Sequence, residues 1–272
     1  MSVQRVTTRN AAFQQWEALL ANRTKRHRAG ETIVQGVRPI TVAVESGWTV
    51  RTWLVDADRS LSSWAHGMLD RVRTRRFAVS SALMRELGGK DDDAPELLAV
   101  VATPPDDLGR LTVTDDFLGV VMDRPTSPGN VGTVARSLDA FGGTGLVVAG
   151  HAADPWDPRA LRASTGSLFA VPTVRVPAGR DVLGWVAAQR AAGRPLTLVG
   201  TDEHGDVELA DHDLTGPTLV LTGNETSGLS AGWRDACDVM VSIPMAGSAS
   251  SLNAASATTV VLYEAVRQRR AT

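Results

Sequence analysis

Apolar and polar positions divide the chain into two differently patterned halves. Phe13, Trp16 and Leu20 recur at the spacing of an amphipathic helix, and with Asn10 as N-cap this predicts a first helix over residues 10–21. Arg23 to Gly30 reads as a polar, basic turn. Short strand-like runs follow at Thr32–Val37, Val50–Val55 and Phe77–Val79, separated by helical patterns, which predicts a small α/β domain. The segment Gly88–Pro95 is loop-like, Leu97–Ala102 reads as a last strand, and TPPDD at residues 103–107 breaks any regular element. The domain boundary is placed within 103–115, giving domains over 1–108 and 109–272.

From Phe117 onward, strongly apolar strands alternate with helices, as buried parallel strands in a βαβ arrangement do. The strands are predicted at Phe117–Met122, Gly145–Ala149, Leu196–Gly200, Thr218–Thr222 and Val239–Ile243. Helices are predicted between them at Asn130–Phe141, Pro158–Thr165, Asp181–Ala192 and Gly228–Ala236, with a last helix over 252–269.

The chain has 272 residues, 43% of them apolar, enough for two cores of ordinary size. The 16 basic against 13 acidic side chains of residues 1–110 contrast with 12 against 17 in residues 111–272, so the net charge of −2 hides halves of opposite sign. Residues 1–28 alone carry Arg5, Arg9, Arg23, Lys25, Arg26 and Arg28 against Glu17. Such asymmetry points to an anion-binding module joined to a catalytic one. The single Cys237 makes no intrachain disulfide, and the five histidines never fall into a ligand-like spacing, so no metal is expected. With neither a membrane-length apolar stretch nor a signal-peptide pattern, a cytoplasmic protein without a membrane partner is expected.

Three segments carry candidate chemistry. Pro125–Arg136 leaves a strand and enters a helix, with Asn130 near the cap and Arg136 two turns inside; the plain alternative is a cap and a surface arginine. Leu219–Ser230 is an apolar strand stopping at Gly223, with Asn224 and Glu225 at its carboxyl end and Gly228 opening the next helix, where open α/β sheets bind ligands. There Gly223 would let a ligand approach the backbone, and Glu225 is either functional or simply an acid at a helix N-terminus. Ser242–Ala257 ends a strand at Ile243-Pro244, runs through small residues, and opens a helix at Ser251-Leu252-Asn253; the alternative is a flexible loop before a plain terminal helix.

In this order and spacing, N-x₅-R, GNE-x₂-GLS and SIPMAG-x₃-SLN resemble the signature of the SpoU family of RNA ribose methyltransferases, over roughly residues 117–270. The N-terminal stretch from Arg9 to Ile40 resembles the family's L30-like RNA-binding domain. The resemblance implies a trefoil-knotted parallel-sheet methyltransferase domain behind a smaller N-terminal α/β RNA-binding domain, and a homodimer. It implies S-adenosylmethionine as cofactor, held by Gly200-Thr201, Leu221, Gly223, Ile243, Pro244, Met245 and Leu252, with Leu221, Ile243, Met245 and Leu252 beside the adenine. Ala254 departs from the family's usual valine. The implied catalytic set is Asn130, Arg136, Glu225, Ser251 and Asn253.

In the implied reaction a ribose 2′-oxygen attacks the sulfonium methyl. A guanidinium rarely deprotonates, so Arg136 is read as gripping a phosphate and stabilising developing alkoxide, with Glu225 holding Arg136 or the knot loop. Arg23, Lys25, Arg26 and Arg28 are the expected phosphate contacts. The substrate implied is large-subunit ribosomal RNA, at a uridine as in members that confer resistance to a ribosome-targeting antibiotic. A transfer RNA ribose methyltransferase and a non-catalytic RNA-binding member of the fold stand as alternatives. Hydrolase motifs and a Walker loop do not occur.

Overall fold

The computed structural model describes residues 3–88 and 94–271, so most of the loop read at Gly88–Pro95 lies outside the described residues. Two compact units emerge, one of residues 1–104 with 156–170, the other of residues 105–155 with 171–272. The first unit begins with β1 (Gln4–Val6), α1 (Ala11–Ala21), α2 (Arg23–Ala29), β2 (Glu31–Gln35) and α3 (Val37–Glu45). It continues through β3 (Val50–Asp56), α4 (Ser63–Arg71), β4 (Arg75–Val79), α5 (Ser81–Gly88) and β5 (Leu97–Ala102). The strands form one sheet in the order β1-β4-β3-β5-β2, with β5 antiparallel to both its neighbours.

Asn10 caps α1 as expected, its side chain accepting from the Phe13 amide at 3.1 Å, and the Phe13, Trp16 and Leu19 side chains join Ile33, Leu54, Phe77 and Leu98 in the core. The expected turn at Arg23–Gly30 is instead the helix α2. Asn22 caps it by accepting from the Lys25 amide, and Gly30, in the left-handed conformation, ends it. RTKRHRA has no apolar stripe, so hydrophobic periodicity gave no sign of a helix there. Strand β2 stops two residues short of the expected Val37, because Gly36 at φ +95° turns the chain into α3. The short β1, with only Val6 buried, was not foreseen.

The second unit runs through β6 (Leu118–Asp123), α6 (Pro128–Ala140) and β7 (Gly145–Ala149). The next two helices, α7 (Pro158–Ser164) and α8 (Ser167–Ala170), belong to the first unit, although the pattern reading placed them in the 109–272 half. There Thr32 donates to the Trp156 carbonyl and Trp48 to the Phe169 carbonyl. The second unit resumes with β8 (Thr173–Val176), α9 (Gly179–Ala191), β9 (Thr197–Thr201), β10 (Val207–Glu208) and β11 (Thr218–Thr222), and ends with α10 (Ala231–Arg234), β12 (Val239–Ser242) and α11 (Ala254–Arg269). Its sheet has the order β10-β12-β9-β11-β6-β7-β8, all pairings parallel among the described residues.

Two expected helix starts are corrected. Ser127, not Asn130, caps α6: its hydroxyl accepts from the Asn130 amide, placing Asn130 in the first turn. The helix expected over Gly228–Ala236 shrinks to α10, because Asn224 and Gly228 exchange two backbone hydrogen bonds of 3.0 Å and close a turn of their own. From β6 the chain winds outward through β7 and β8, then returns on the other side as β9, β11 and β12. The loops after β6, β9, β11 and β12 therefore gather at the carboxyl edge where strand order reverses, the usual ligand position of such sheets.

Arg26, expected to contact RNA, is only 2% exposed and gives its guanidinium to the Leu19 and Leu20 carbonyls and the Asp157 carboxylate. It is withdrawn from any phosphate and acts as a buried tie within the first unit. Arg26→Ala is expected to lower unfolding free energy by about 3–5 kcal/mol, since it strands those acceptors. Lys25→Ala, on the exposed face, should stay within about 0.5 kcal/mol. Urea unfolding followed by circular dichroism compares the two; equal small effects would contradict the burial argument.

Candidate active site

At the end of β6 the apolar strand runs into Asp123, which is 3% exposed, and Arg124, which has φ +52°. A non-glycine residue in that region costs about 1–2 kcal/mol, so surrounding contacts must hold it. The Arg124 guanidinium forks onto Asp123 with two bonds of 3.1 Å, and the same carboxylate accepts the Ser230 amide at 3.0 Å. The Arg124 carbonyl in turn accepts the Asn224 side-chain amide at 2.8 Å.

The next loop residues meet Glu225. One of its carboxylate oxygens accepts the amide and hydroxyl of Thr126, at 3.1 and 3.0 Å. The other accepts the Ser127 amide and the Asn130 side-chain amide, at 3.3 and 2.8 Å. The carboxylate thus sits at the N-terminus of α6, where backbone amides and the helix dipole favour negative charge. Burial opposes its ionisation, but donation from the Thr126 amide and the other donors prevails and holds its pKa below the ordinary value. Asn130 passes the contact on, accepting from the Asn253 side chain at 3.2 Å. Asn253 also caps α11, its oxygen accepting from the Ala255 amide.

These contacts frame a cavity of about 720 Å³. Thr201, Asp202 and Glu203 line one part, the Thr222–Gly228 turn another, and Ile243, Met245 and Ser250–Asn253 the rest. Met245 and Leu252 are each 39% exposed and leave apolar surface open to the cavity. Asp202, Glu203 and Glu225 make the lining acidic, with Arg234 paired to Asp202. The hydroxyl of Thr222, which lines the cavity, meets that of Thr258 at 2.7 Å, tying β11 to α11.

Of the expected cofactor residues, Thr201, Gly223, Ile243, Met245 and Leu252 line this cavity, as do Glu225, Ser251 and Asn253 of the expected catalytic set. Gly200, Leu221 and Pro244 do not. The Leu221 side chain is fully buried in the core, so it offers no side-chain face to the cavity, and its carbonyl accepts the Thr201 hydroxyl. A Cβ on Gly200 would press against Met240 and Cys237, so that glycine serves core packing. Gly223 is needed for chain against chain, because a Cβ there would lie 2.3 Å from the backbone of Gly228 and Leu229. Glu225 does not hold Arg136. Arg136 is exposed on α6, outside the cavity, and makes no side-chain hydrogen bond or ion pair among the described residues.

Arg23, Lys25 and Arg28 are exposed on α2. Sequence reasoning passed over Asp123, Arg124, Thr126, Asp202, Glu203 and Arg234. A charged pair directly after an apolar strand was the one available signal for Asp123 and Arg124. Burial pushes the Cys237 thiol up to about 11, which disfavours its thiolate.

Residues 10–99 match the family described as the SpoU L30e-like domain, and residues 118–263 the SpoU rRNA Methylase family. Over 268 residues, 98% of this chain and 93% of the relative, the sequence is 62% identical to the 23S rRNA (uridine(2479)-2′-O)-methyltransferase of Streptomyces viridochromogenes. The crystal structure of the SpoU methyltransferase AviRb from that organism, in complex with the cofactor AdoMet, matches with a TM-score of 0.91 at 60% identity, covering 97% of this chain and 100% of that one. An AdoMet-bound rRNA methyltransferase from Sinorhizobium meliloti matches with a TM-score of 0.87 at 27% identity, covering 97% and 98%.

Two outcomes follow from the site geometry. The stability that Glu225 contributes, with its pKa depressed on folding, is complete above its unfolded pKa and is lost as pH falls through the folded value. The difference in melting temperature between wild type and Glu225→Gln should therefore be constant near neutrality and close between about pH 5 and pH 3. A difference unchanged across that window would contradict the hydrogen-bonding account. Gly223→Ala should force the Asn224–Gly228 turn away from β11 and lower the melting temperature by several degrees, while Gly232→Ala, facing open space, should leave it unaltered.

Proposed function

The chain belongs to the SpoU rRNA methylase family, and on that premise we propose that it methylates the 2′-oxygen of a uridine ribose in large-subunit ribosomal RNA, using S-adenosylmethionine. The observation that carries this reading is the cavity walled by Gly223–Gly228 and Ile243–Leu252, with the Glu225–Asn130–Asn253 chain of hydrogen bonds at its rim. The full-length likeness to a uridine-specific enzyme supports the base. Transfer RNA as substrate has no comparable support.

The residues present suit the donor. The cavity lies within the range of roughly 300–1,000 Å³ usual for small-molecule sites. Ile243, Met245 and Leu252 offer a flat apolar group a place to bury, and the acidic lining suits a cation. When bound, S-adenosylmethionine supplies an electrophilic methyl group. The protein's part is positioning and charge. Asn130, Ser251 and Asn253 present amide and hydroxyl groups that orient the ribose. Arg136 grips a neighbouring phosphate and stabilises negative charge developing on the ribose oxygen, whose proton departs to that phosphate or to water. Arg23, Lys25 and Arg28 add phosphate contacts that weaken as salt rises.

The proposal extends to assembly. Val260 and Tyr263, 38% and 56% exposed on α11, lie on a helix that packs against α6, where Ser137 bonds Thr259. A second copy covering them would make a homodimer and bring a partner surface towards Arg136. We read the small-residue connection from β12 to α11 as threaded under a neighbouring loop in a trefoil knot. The family membership and the small side chains from Gly247 to Ser251 motivate that reading. A ribosomal substrate fits a cytoplasmic enzyme, and protection of the ribosome against an antibiotic is the role suggested by the resemblance to uridine-modifying resistance enzymes.

Tritium transfer from labelled S-adenosylmethionine tests the reading, offered separately to ribosomal and transfer RNA. Label is expected in large-subunit RNA at a ribose 2′-oxygen; label in transfer RNA alone overturns the substrate, and donor binding without transfer favours a non-catalytic RNA-binding member. Arg136→Ala should lower kcat by about 10²–10³, as for loss of a transition-state charge contact. Arg136→Lys should remain within about tenfold of wild type, whereas its complete inactivity would assign Arg136 a fork-shaped or proton-transfer role.

A further inference from the structure

We propose that Arg124 is a positioning residue that sets the wall of the donor cavity by clasping both ends of the Asn224–Ser230 segment. Arg124 does not line the cavity. Its influence runs through the segment that does, and the inference rests on the donor-binding function proposed above.

Arg124 continues the sheet by donating its amide to the Ala149 carbonyl at 2.9 Å, then departs from it at φ +52°. That turn aims its carbonyl at the Asn224 side chain, which accepts the Thr226 and Ser227 amides on its own oxygen. The start of the segment is fixed in this way. Meanwhile the guanidinium folds back onto Asp123, whose second task is to accept the Ser230 amide, and reaches the Gly228 carbonyl at 3.4 Å. The end of the segment is fixed too. Gly150, itself at φ +77°, leaves room for the folded-back chain, since a Cβ there would lie 2.8 Å from the Arg124 side chain.

A relaxed backbone at residue 124 would swing the carbonyl away from Asn224. A side chain without a planar fork would lose the paired bonds to Asp123 that hold the guanidinium beneath Gly228. The segment between the two anchors supplies cavity-lining residues from Asn224 to Gly228. Glu225 keeps its independent hold on Thr126, Ser127 and Asn130, so the catalytic rim outlasts loss of the clasp. Weaker donor binding with largely preserved turnover is the signature of that division.

Arg124→Gly separates the two contributions, because glycine accepts the positive φ while deleting the guanidinium. Titration calorimetry of S-adenosylmethionine against the full chain is expected to show Kd raised about tenfold, with KM for the donor raised in step. The change in kcat at saturating donor should stay under about threefold, and the melting temperature should fall by only a few degrees. Arg124→Lys, which keeps the charge without the fork, should fall between the two. An unchanged Kd in Arg124→Gly overturns the proposal, as does a fall in kcat equal to the rise in KM. Should Arg124→Gly not fold, the lysine variant decides: wild-type affinity there overturns the clasp. If the wild-type chain itself binds no S-adenosylmethionine, the functional reading fails instead.

Discussion

One carboxylate joins parts of the chain that are far apart in sequence. Glu225, on the turn after β11, takes four donors from Thr126, Ser127 and Asn130 at the start of α6, and Asn130 in turn engages Asn253 at the start of α11. Charge, helix dipole and directed amides act together there, which is why the group remains ionised despite partial burial. That link aligns the turn after β11 with the starts of α6 and α11, the three segments that meet at the cavity rim.

The fold makes the link possible through strand order. Because β6 and β11 are neighbours at the sheet's centre, in register from Leu118 opposite Thr218 to Met122 opposite Thr222, their following loops begin side by side. Thr222 then meets Thr258 and Ser137 meets Thr259, so α11 is held both to the sheet and to α6. Gly223 permits the turn to close on the strand.

Much of the sheet could be read from pattern alone, since buried parallel strands such as Gly145–Ala149 and Thr218–Thr222 are continuous apolar runs with the same bounds in the structure. The strands that escaped were short or half-polar, as β1, β8 and β10 are, and α2 escaped because a wholly polar helix depends on its caps rather than on an apolar stripe. Burial of Arg26 was invisible for a related reason. Its partners include two carbonyls and an aspartate 131 positions away, and no local pattern reports such a contact. At the site, the three motif segments did converge, yet their internal roles were only partly legible. Motif residues show which side chains meet a cavity; they do not show that Leu221 faces the core, that Gly223 spaces two backbones, or that Glu225 holds Asn130 rather than Arg136.

The division of labour that results is simple. One set of residues, around Asp123, Arg124 and Asn224, shapes the wall. A second set, around Glu225, Asn130 and Asn253, aligns the rim. Arg136 stands apart on α6 as the exposed cation. A crystal structure of the full chain grown with S-adenosylmethionine tests the central claim most directly. The account predicts donor density between Gly223–Gly228 and Ile243–Leu252, with Met245 and Leu252 covered and Glu225 still bound to Thr126, Ser127 and Asn130. Donor bound elsewhere, or a Glu225 carboxylate turned away from α6, would contradict it.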